Sequence, residues 1–256
     1  MAITDRRNRQ KYKRRNEIIN AAETLFFSKG YENVSLDEIA RNVDLGRSTL
    51  YLYFENKEEL FFAIVLRGTV ILYSLIEEES QKAETSIEKL ATFRKAYYEF
   101  SKTYPDYLKS YNYFLSGRFD ISNINNHEHK IGQIEHSKYY LEYKKLIEDS
   151  NSLANFPIPK FTTEEYIKEI LTLRSAMLNI LCNAIKQGIN EGNIRSDVNP
   201  VEATALLTLI ANSLDNMPPD LNNLLESQNI HHDQFLMDVG DFIGYMVSSK
   251  VSKKLE

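Results

Sequence analysis

The stretch from Ser35 to Phe54, SLDEIARNVDLGRSTLYLYF, constrains this chain more than any other. Leu36, Ile39, Ala40 and Val43 recur at the three- and four-residue spacing of a helix, with Ser35 as its N-cap and Glu38 placed to close a capping box. Asp44 follows at the turn, where a residue that tolerates left-handed backbone is needed, and Gly46 opens a second helix expected from Arg47 to Tyr53. Leu50 and Phe54, four apart, point to a core, leaving Arg47, Ser48, Thr49, Tyr51, Leu52 and Tyr53 on the outside. The pattern is a helix-turn-helix. Its exposed hydroxyls and arginine suit the phosphates and base edges of a DNA major groove.

The flanking residues extend the pattern. A first helix is expected from Lys13 to Ser28, carrying Ile18, Ala22, Leu25 and Phe26 on one face, with Gly30 as its stop. After Phe54, Asn56 is an N-cap for a helix beginning at Lys57, whose first turn holds Glu58 and Glu59 where negative charge suits the dipole. The order Ile18, Ala21-Ala22, Leu25-Phe26, Gly30-Tyr31, Val34-Ser35, Ile39-Ala40, Thr49-Leu50-Tyr51, Tyr53-Phe54 and Lys57-Glu58-Glu59-Leu60 is far more specific than a generic helix-turn-helix. From Arg14 to about Leu66 the chain resembles the DNA-binding domain of the TetR family of bacterial transcriptional regulators. Asp44 stands where that family commonly has a turn glycine, and Gly46 where it usually has a capping serine. The resemblance implies that Ser35, Arg47, Ser48, Thr49, Tyr51, Leu52, Tyr53 and Lys57 contact DNA. Helix statistics alone make Lys57 an ordinary surface lysine; the resemblance gives it a backbone phosphate.

Charge is divided unevenly. The net charge is −5, yet residues 1–57 carry +3 and the remainder −8. Arg6, Arg7, Arg9, Lys11, Lys13, Arg14 and Arg15 face only Asp5 among the first fifteen residues. Residues 1–12 read as a flexible basic arm, either a solvated tail or a supplier of phosphate and minor-groove contacts. The N-terminus lacks the apolar region of a signal peptide, so a cytoplasmic protein is expected. The run from Leu60 to Ile76 is short for a membrane span and interrupted by Arg67, which favours a buried helix and no membrane partner. The single cysteine, Cys182, lies in an apolar helical run and reads as a buried, inert thiol.

The division expected is residues 13–58 as the DNA-binding domain and 59–256 as a larger helical domain for ligand binding and dimerisation, the whole all-α. Helices are expected over Ser86–Thr103, Pro105–Ser116, His127–Asp149, Thr163–Gly192, Pro200–Asn216 and Phe235–Ser248, with a loop over Gly117–Asn126, a connector over Asn151–Thr163 and a broken stretch over Met217–Asp233. Aromatic residues line up along two of these helices. Simple core packing explains most of them, but tyrosines also line small-molecule pockets. The family analogy implies a ligand among Phe93, Tyr97, Phe100, Tyr107, Tyr111, Tyr143 and Met177. Thr163–Gly192 and Pro200–Asn216 resemble the family's dimerisation pair. The grouping His127, Glu128, His129, Glu135 and His136 lacks the paired Glu-x-x-His of a helical two-metal site, so no metal is expected, nor any cofactor.

No phosphate-binding glycine loop, nucleophile elbow or zinc-spaced Cys/His set is present, so an enzyme is not expected. The function expected is a homodimeric regulator, a repressor released from a palindromic double-stranded DNA operator by an apolar or aromatic small-molecule inducer. The alternative on the same fold is an architectural or division-site DNA-binding protein without an inducer. Few promoter sites would mark the first, many dispersed sites the second.

Overall fold

The computed structural model describes residues 2–119, 137, 139–141, 143–144, 158–214 and 217–249, with the backbone alone over residues 2–9. Among these residues there are ten helices and no strand, only an isolated bridge between Ile194 and Ser248. The helices are α1 (Ala2–Lys29), α2 (Leu36–Asn42), α3 (Arg47–Leu50), α4 (Lys57–Lys82), α5 (Ser86–Thr103) and α6 (Pro105–Leu115). They continue with α7 (Thr163–Asn190), α8 (Pro200–Leu214), α9 (Pro219–Ser227) and α10 (His232–Val247). The all-α class expected from the sequence is the class observed. The expected His127–Asp149 helix, the loop before it and the connector after it lie largely outside the described residues.

Two compact units interleave along the chain. The first takes the described residues of Met1–Ile71, Tyr104–His129 and Glu135–Arg174, the second those of Leu72–Thr103 and Ser175–Glu256. Sequence-distant segments pack together within the first unit because α4 presents an apolar surface on all sides. Every residue from Leu60 to Tyr73 is buried. By length and hydropathy α4 could cross a membrane, but 89% of its most apolar window is buried within the protein, as in a core helix. Gly68 in its middle admits α6, since an added Cβ there would lie 2.9 Å from the Tyr107 side chain. The one charge in this run, Arg67, is neutralised inside: its Nη1 donates to Glu23 Oε2 at 2.7 Å and Asn20 Oδ1 at 3.0 Å, and Glu23 Oε2 also accepts the Tyr107 hydroxyl at 2.7 Å.

In the second unit, Leu181, Ile185 and Ile194 form a core that Leu90, Phe93, Ile189 and Val198 complete. Glu191, just past α7, accepts from the N–H and hydroxyl of Ser86 and so caps α5. Cys182 is fully buried here, as expected.

Three expectations require correction. Residues 2–12 are the first turns of α1 and not a flexible arm, because the run lacks Pro and Gly and is rich in Arg, Lys and Gln, which favour helix. The second helix of the helix-turn-helix ends at Leu50, not Tyr53. Leu52 N–H and Tyr53 N–H bond to carbonyls three residues back, so the chain tightens into turns as it delivers Phe54 to the core. The stretch expected to be broken, Met217–Asp233, contains α9. Pro218 and Pro219 occupy its N-cap and first helical position, where proline costs no hydrogen bond.

Candidate nucleic-acid interface

The site begins with the caps that set α2 against α3. Glu38 N–H donates to Ser35 Oγ at 3.2 Å. The Glu38 carboxyl is held below its usual range chiefly by its hydrogen bond from the Lys29 ammonium, with a smaller contribution from the Ser35 N–H. At the other end of α2, Leu45 N–H bonds to Ala40 O at 2.9 Å and Asp44 N–H to Arg41 O at 3.3 Å, with Asp44 at φ 53°. That is a Schellman closure with aspartate in the left-handed position that glycine usually fills. Gly46 caps α3 without a side chain, at φ −69° and ψ 148°. Leu50 and Phe54 are buried beneath, so the outer face of α3 is fixed by its inner one.

Ser35, Arg47, Ser48, Tyr51 and Leu52 are exposed, with Thr49, Tyr53 and Lys57 half-buried. The eight residues expected from the sequence lie at the start of α2, on α3 and in the segment from Tyr51 to Lys57 that follows it. Leu52 is an apolar side chain left 70% exposed. Arg47 donates to the Tyr51 hydroxyl at 3.3 Å and pairs with Asp37 at 3.2 Å, contacts that in that order raise its pKa. Lys57 is already engaged: its Nζ donates to Tyr31 O at 3.0 Å and Val34 O at 3.1 Å, 4.2 Å from the centre of the Tyr31 ring. It ties down the link between α1 and α2, a role that its position at a helix N-terminus did not reveal.

Arg15 differs from its basic neighbours. It is 3% exposed, with Nη1 donating to Ile158 O at 2.6 Å, Nη2 to the Tyr166 hydroxyl, and the guanidinium 4.6 Å from the Phe54 ring centre. The spacing Arg15, Ile18, Ile19, Ala22 and Phe26 was the available signal, since it puts Arg15 on the apolar face of α1.

The residues expected to line a ligand pocket divide between the units. In the first, Tyr107 bonds to Glu23, Tyr111 accepts from Arg174 Nη1 at 2.9 Å, and Tyr143 is buried 5.9 Å from the Tyr140 ring. In the second, Phe100 and Met177 are buried and Phe93 and Tyr97 half-buried. A separate apolar groove of about 510 Å³ lies in the second unit, lined by Leu209, Ile210, Met217, Pro218, Leu221, Leu225 and Phe235, none of them expected from the sequence. No cluster of metal-ligating side chains occurs among the described residues, and His127–His136 lie outside them.

Residues 18–64 match the family model of bacterial regulatory proteins, tetR family, which spans α1 to the start of α4. Over 79 residues the chain is 33% identical to the biofilm operon icaADBC HTH-type negative transcriptional regulator IcaR of Staphylococcus aureus (strain Newman), covering 31% of this chain and 42% of that protein. The IcaR of Staphylococcus epidermidis is 40% identical over 47 residues, 18% of this chain and 25% of that protein. The chain therefore spans about two fifths or less of the length of these relatives. A tetR-family regulatory protein from Rhodococcus RHA1 shares the fold at a TM-score of 0.60 and 16% identity, covering 91% of this chain and 96% of that one. The regulator FadR of Bacillus subtilis, solved with stearoyl-CoA, does so at 0.53 and 17%, covering 91% and 97%. Residues 18–64 thus carry the DNA-binding domain of the tetR family of bacterial regulatory proteins, and the fold of tetR-family structures extends along nine-tenths of the chain.

Proposed function

We propose that this chain is a homodimeric transcriptional repressor that reads a palindromic operator with α3 and is released by an apolar or aromatic small molecule. The observation that carries the reading is the outer face of α2 and α3, where Arg47, Ser48, Tyr51 and Leu52 stand clear of a core fixed by Leu50 and Phe54. That face offers one charge for phosphate, hydroxyls for base edges and a methyl-bearing side chain, the mixture needed for a major groove. Negative regulation is supported by IcaR, named a negative regulator, and an apolar ligand by FadR with its stearoyl-CoA.

In this reading residues 13–58 hold the DNA and residues 59–256 take the ligand and the second copy, in the cytoplasm. A ligand acts on operator binding only through unequal affinity for the two states, typically about 1–3 kcal/mol of coupling, so operator must weaken ligand binding by the same factor. The test is a mobility shift of the DNA flanking the chain's own gene, repeated with candidate apolar and aromatic compounds. A shifted band abolished by one compound is the expected result. No shift at any protein concentration overturns the DNA-binding reading, and a shift indifferent to every compound overturns the inducer.

A further inference from the structure

We infer that Arg15 is a positioning residue for DNA reading: with Ile158 and Tyr166 it forms an internal strut that fixes Phe54, and through Phe54 the recognition helix α3, without itself touching DNA. The inference rests on the reading above, that α3 enters the groove. It departs from the sequence pattern, in which Arg15 is one more cation of a basic run.

The geometry faces inward throughout. Arg15 is buried, and its two terminal nitrogens are spent on Ile158 O and the Tyr166 hydroxyl. The Tyr166 hydroxyl in turn donates to Pro159 O at 2.8 Å, which closes the residues before α7 onto its first turn. The flat of the guanidinium lies over Phe54, whose N–H bonds back to Leu50 O at 3.1 Å, the last residue of α3. The reading helix is four residues long and ends in turns, so it has little stability of its own. What holds it is the seat of Leu50 and Phe54, and the cation forms one wall of that seat.

Charge chemistry points the same way. Among the described residues no carboxylate forms an ion pair with Arg15, the buried Glu59 carboxyl acting on it only at longer range, and its Nε is buried without a hydrogen-bond partner. A buried guanidinium so placed is a poor choice for packing, which Met or Leu would serve at less cost. Only arginine spans a carbonyl, a hydroxyl and an aromatic face at once with a rigid planar fork. The strut also joins α3 to the start of α7, a link to the reading head additional to the covalent one through α4.

The experiment uses the full chain and a duplex enriched from a random pool by the wild-type protein, with a scrambled duplex as control. Affinities for both are measured across salt concentrations for wild type, Arg15→Met, Arg15→Lys and Tyr166→Phe, alongside thermal melts. Arg15→Met should lose about tenfold or more for the selected duplex, with the scrambled duplex and the salt slope unchanged. Arg15→Lys should not restore binding, and Tyr166→Phe, which loses only a hydroxyl, should show the same loss in smaller measure. A parallel loss for both duplexes, with a slope shallower by about one, would make Arg15 a phosphate contact and overturn the strut. Selectivity unchanged in Tyr166→Phe and Arg15→Lys would reduce it to packing, and these two variants decide the matter if Arg15→Met does not fold. If wild type enriches no duplex, the DNA-reading assignment itself falls, a failure distinct from a loss of selectivity confined to the variants.

Discussion

Arg47 of α3 grips Asp37 of α2 by two contacts, Nε to Oδ1 and Nη1 to Oδ2, both 3.2 Å. In the proposed contact with DNA, the carboxylate would aim the guanidinium but also cancel the charge that meets phosphate. Asp37→Asn should therefore raise affinity for duplex DNA of any sequence several-fold at low salt, with the gain fading as salt rises. Both partners are exposed, so the melting temperature should be essentially unaltered. Anisotropy titrations across salt check this. Weaker binding by Asp37→Asn would mean that aiming outweighs neutralisation.

Lys57 and Tyr51 separate two roles that the sequence groups together. Tyr51 is 41% exposed and holds nothing but Arg47, so Tyr51→Ala should weaken specific DNA binding with an unaltered melt. Lys57 donates to two carbonyls, so Lys57→Ala should also cost about 1–2 kcal/mol of stability by releasing the α1–α2 link. Urea unfolding of the two variants distinguishes them. A Lys57→Ala protein as stable as wild type would leave the lysine a phosphate contact alone.

Gly46 has no need to be glycine. Its φ of −69° suits any residue, and the nearest atom to an added Cβ is Ser48 Oγ at 4.0 Å. Gly46→Ser should supply the missing cap for α3 and stabilise the protein by a few tenths of a kcal/mol, since glycine is itself a tolerable cap. A thermal melt at neutral pH reads the change, and a lowered melting point would show that the added hydroxyl finds no N–H.

The reading head was legible because its signals are local. Ser35 with Glu38, Asp44 in the turn and Asn56 before Lys57 are short-range capping chemistry, and each forms as its spacing implies. What was not legible depends on contacts across the chain. Arg15 meets Ile158 and Tyr166, more than 140 residues away, so although its spacing places it on the apolar face of α1, nothing local marks the partners that bury it. The α9 helix was hidden because Pro218-Pro219 reads as a breaker unless it falls at a helix start. The proposed ligand residues divide between two compact units, a grouping that chain order does not express.

Glu59 gives a pH dependence of known sign. Burial raises its pKa, opposed by its hydrogen bond from Glu55 N–H and by the Arg15 charge. A carboxyl whose folded pKa lies above its unfolded one contributes stability fully below the unfolded pKa and loses it as pH rises through the folded value. Wild type should thus lose stability from this group on going from acidic to neutral pH. Glu59→Gln keeps an acceptor for Glu55 N–H but has no charge to desolvate, so it should melt higher than wild type at pH 7, with the difference shrinking below the carboxylate range. Paired melts from pH 4 to 7 test it; a constant difference across that range would assign the effect to something other than titration.

The proposed dimer is best tested away from α7, the first helix of the pair expected to form it. Ile180, at the centre of α7, is half-buried and its neighbours Leu173, Met177, Leu181, Ala184 and Ile185 are buried within one chain, so a charge there would disturb folding as well as association. Among the described residues, α8, α9 and α10 expose many apolar side chains, including Leu206, Leu209, Leu221, Leu224, Phe242, Tyr245 and Met246, with Leu209 64% and Phe242 61% exposed. A second copy seated on this face would cover them. Between residues 196 and 249 there is no Lys or Arg, so two copies would bring acidic rims together. Association should therefore tighten with salt, which screens like charges and strengthens apolar burial. Leu209→Glu and Phe242→Glu, each altering a side chain that already faces water, should keep the helical content and sediment as monomers where wild type sediments as a dimer. Such monomers should also bind a palindrome no better than a half-site, because two reading heads about 34–36 Å apart, or a multiple of that, require the second copy. Dimers unaltered in both variants would move the interface to another face of the chain.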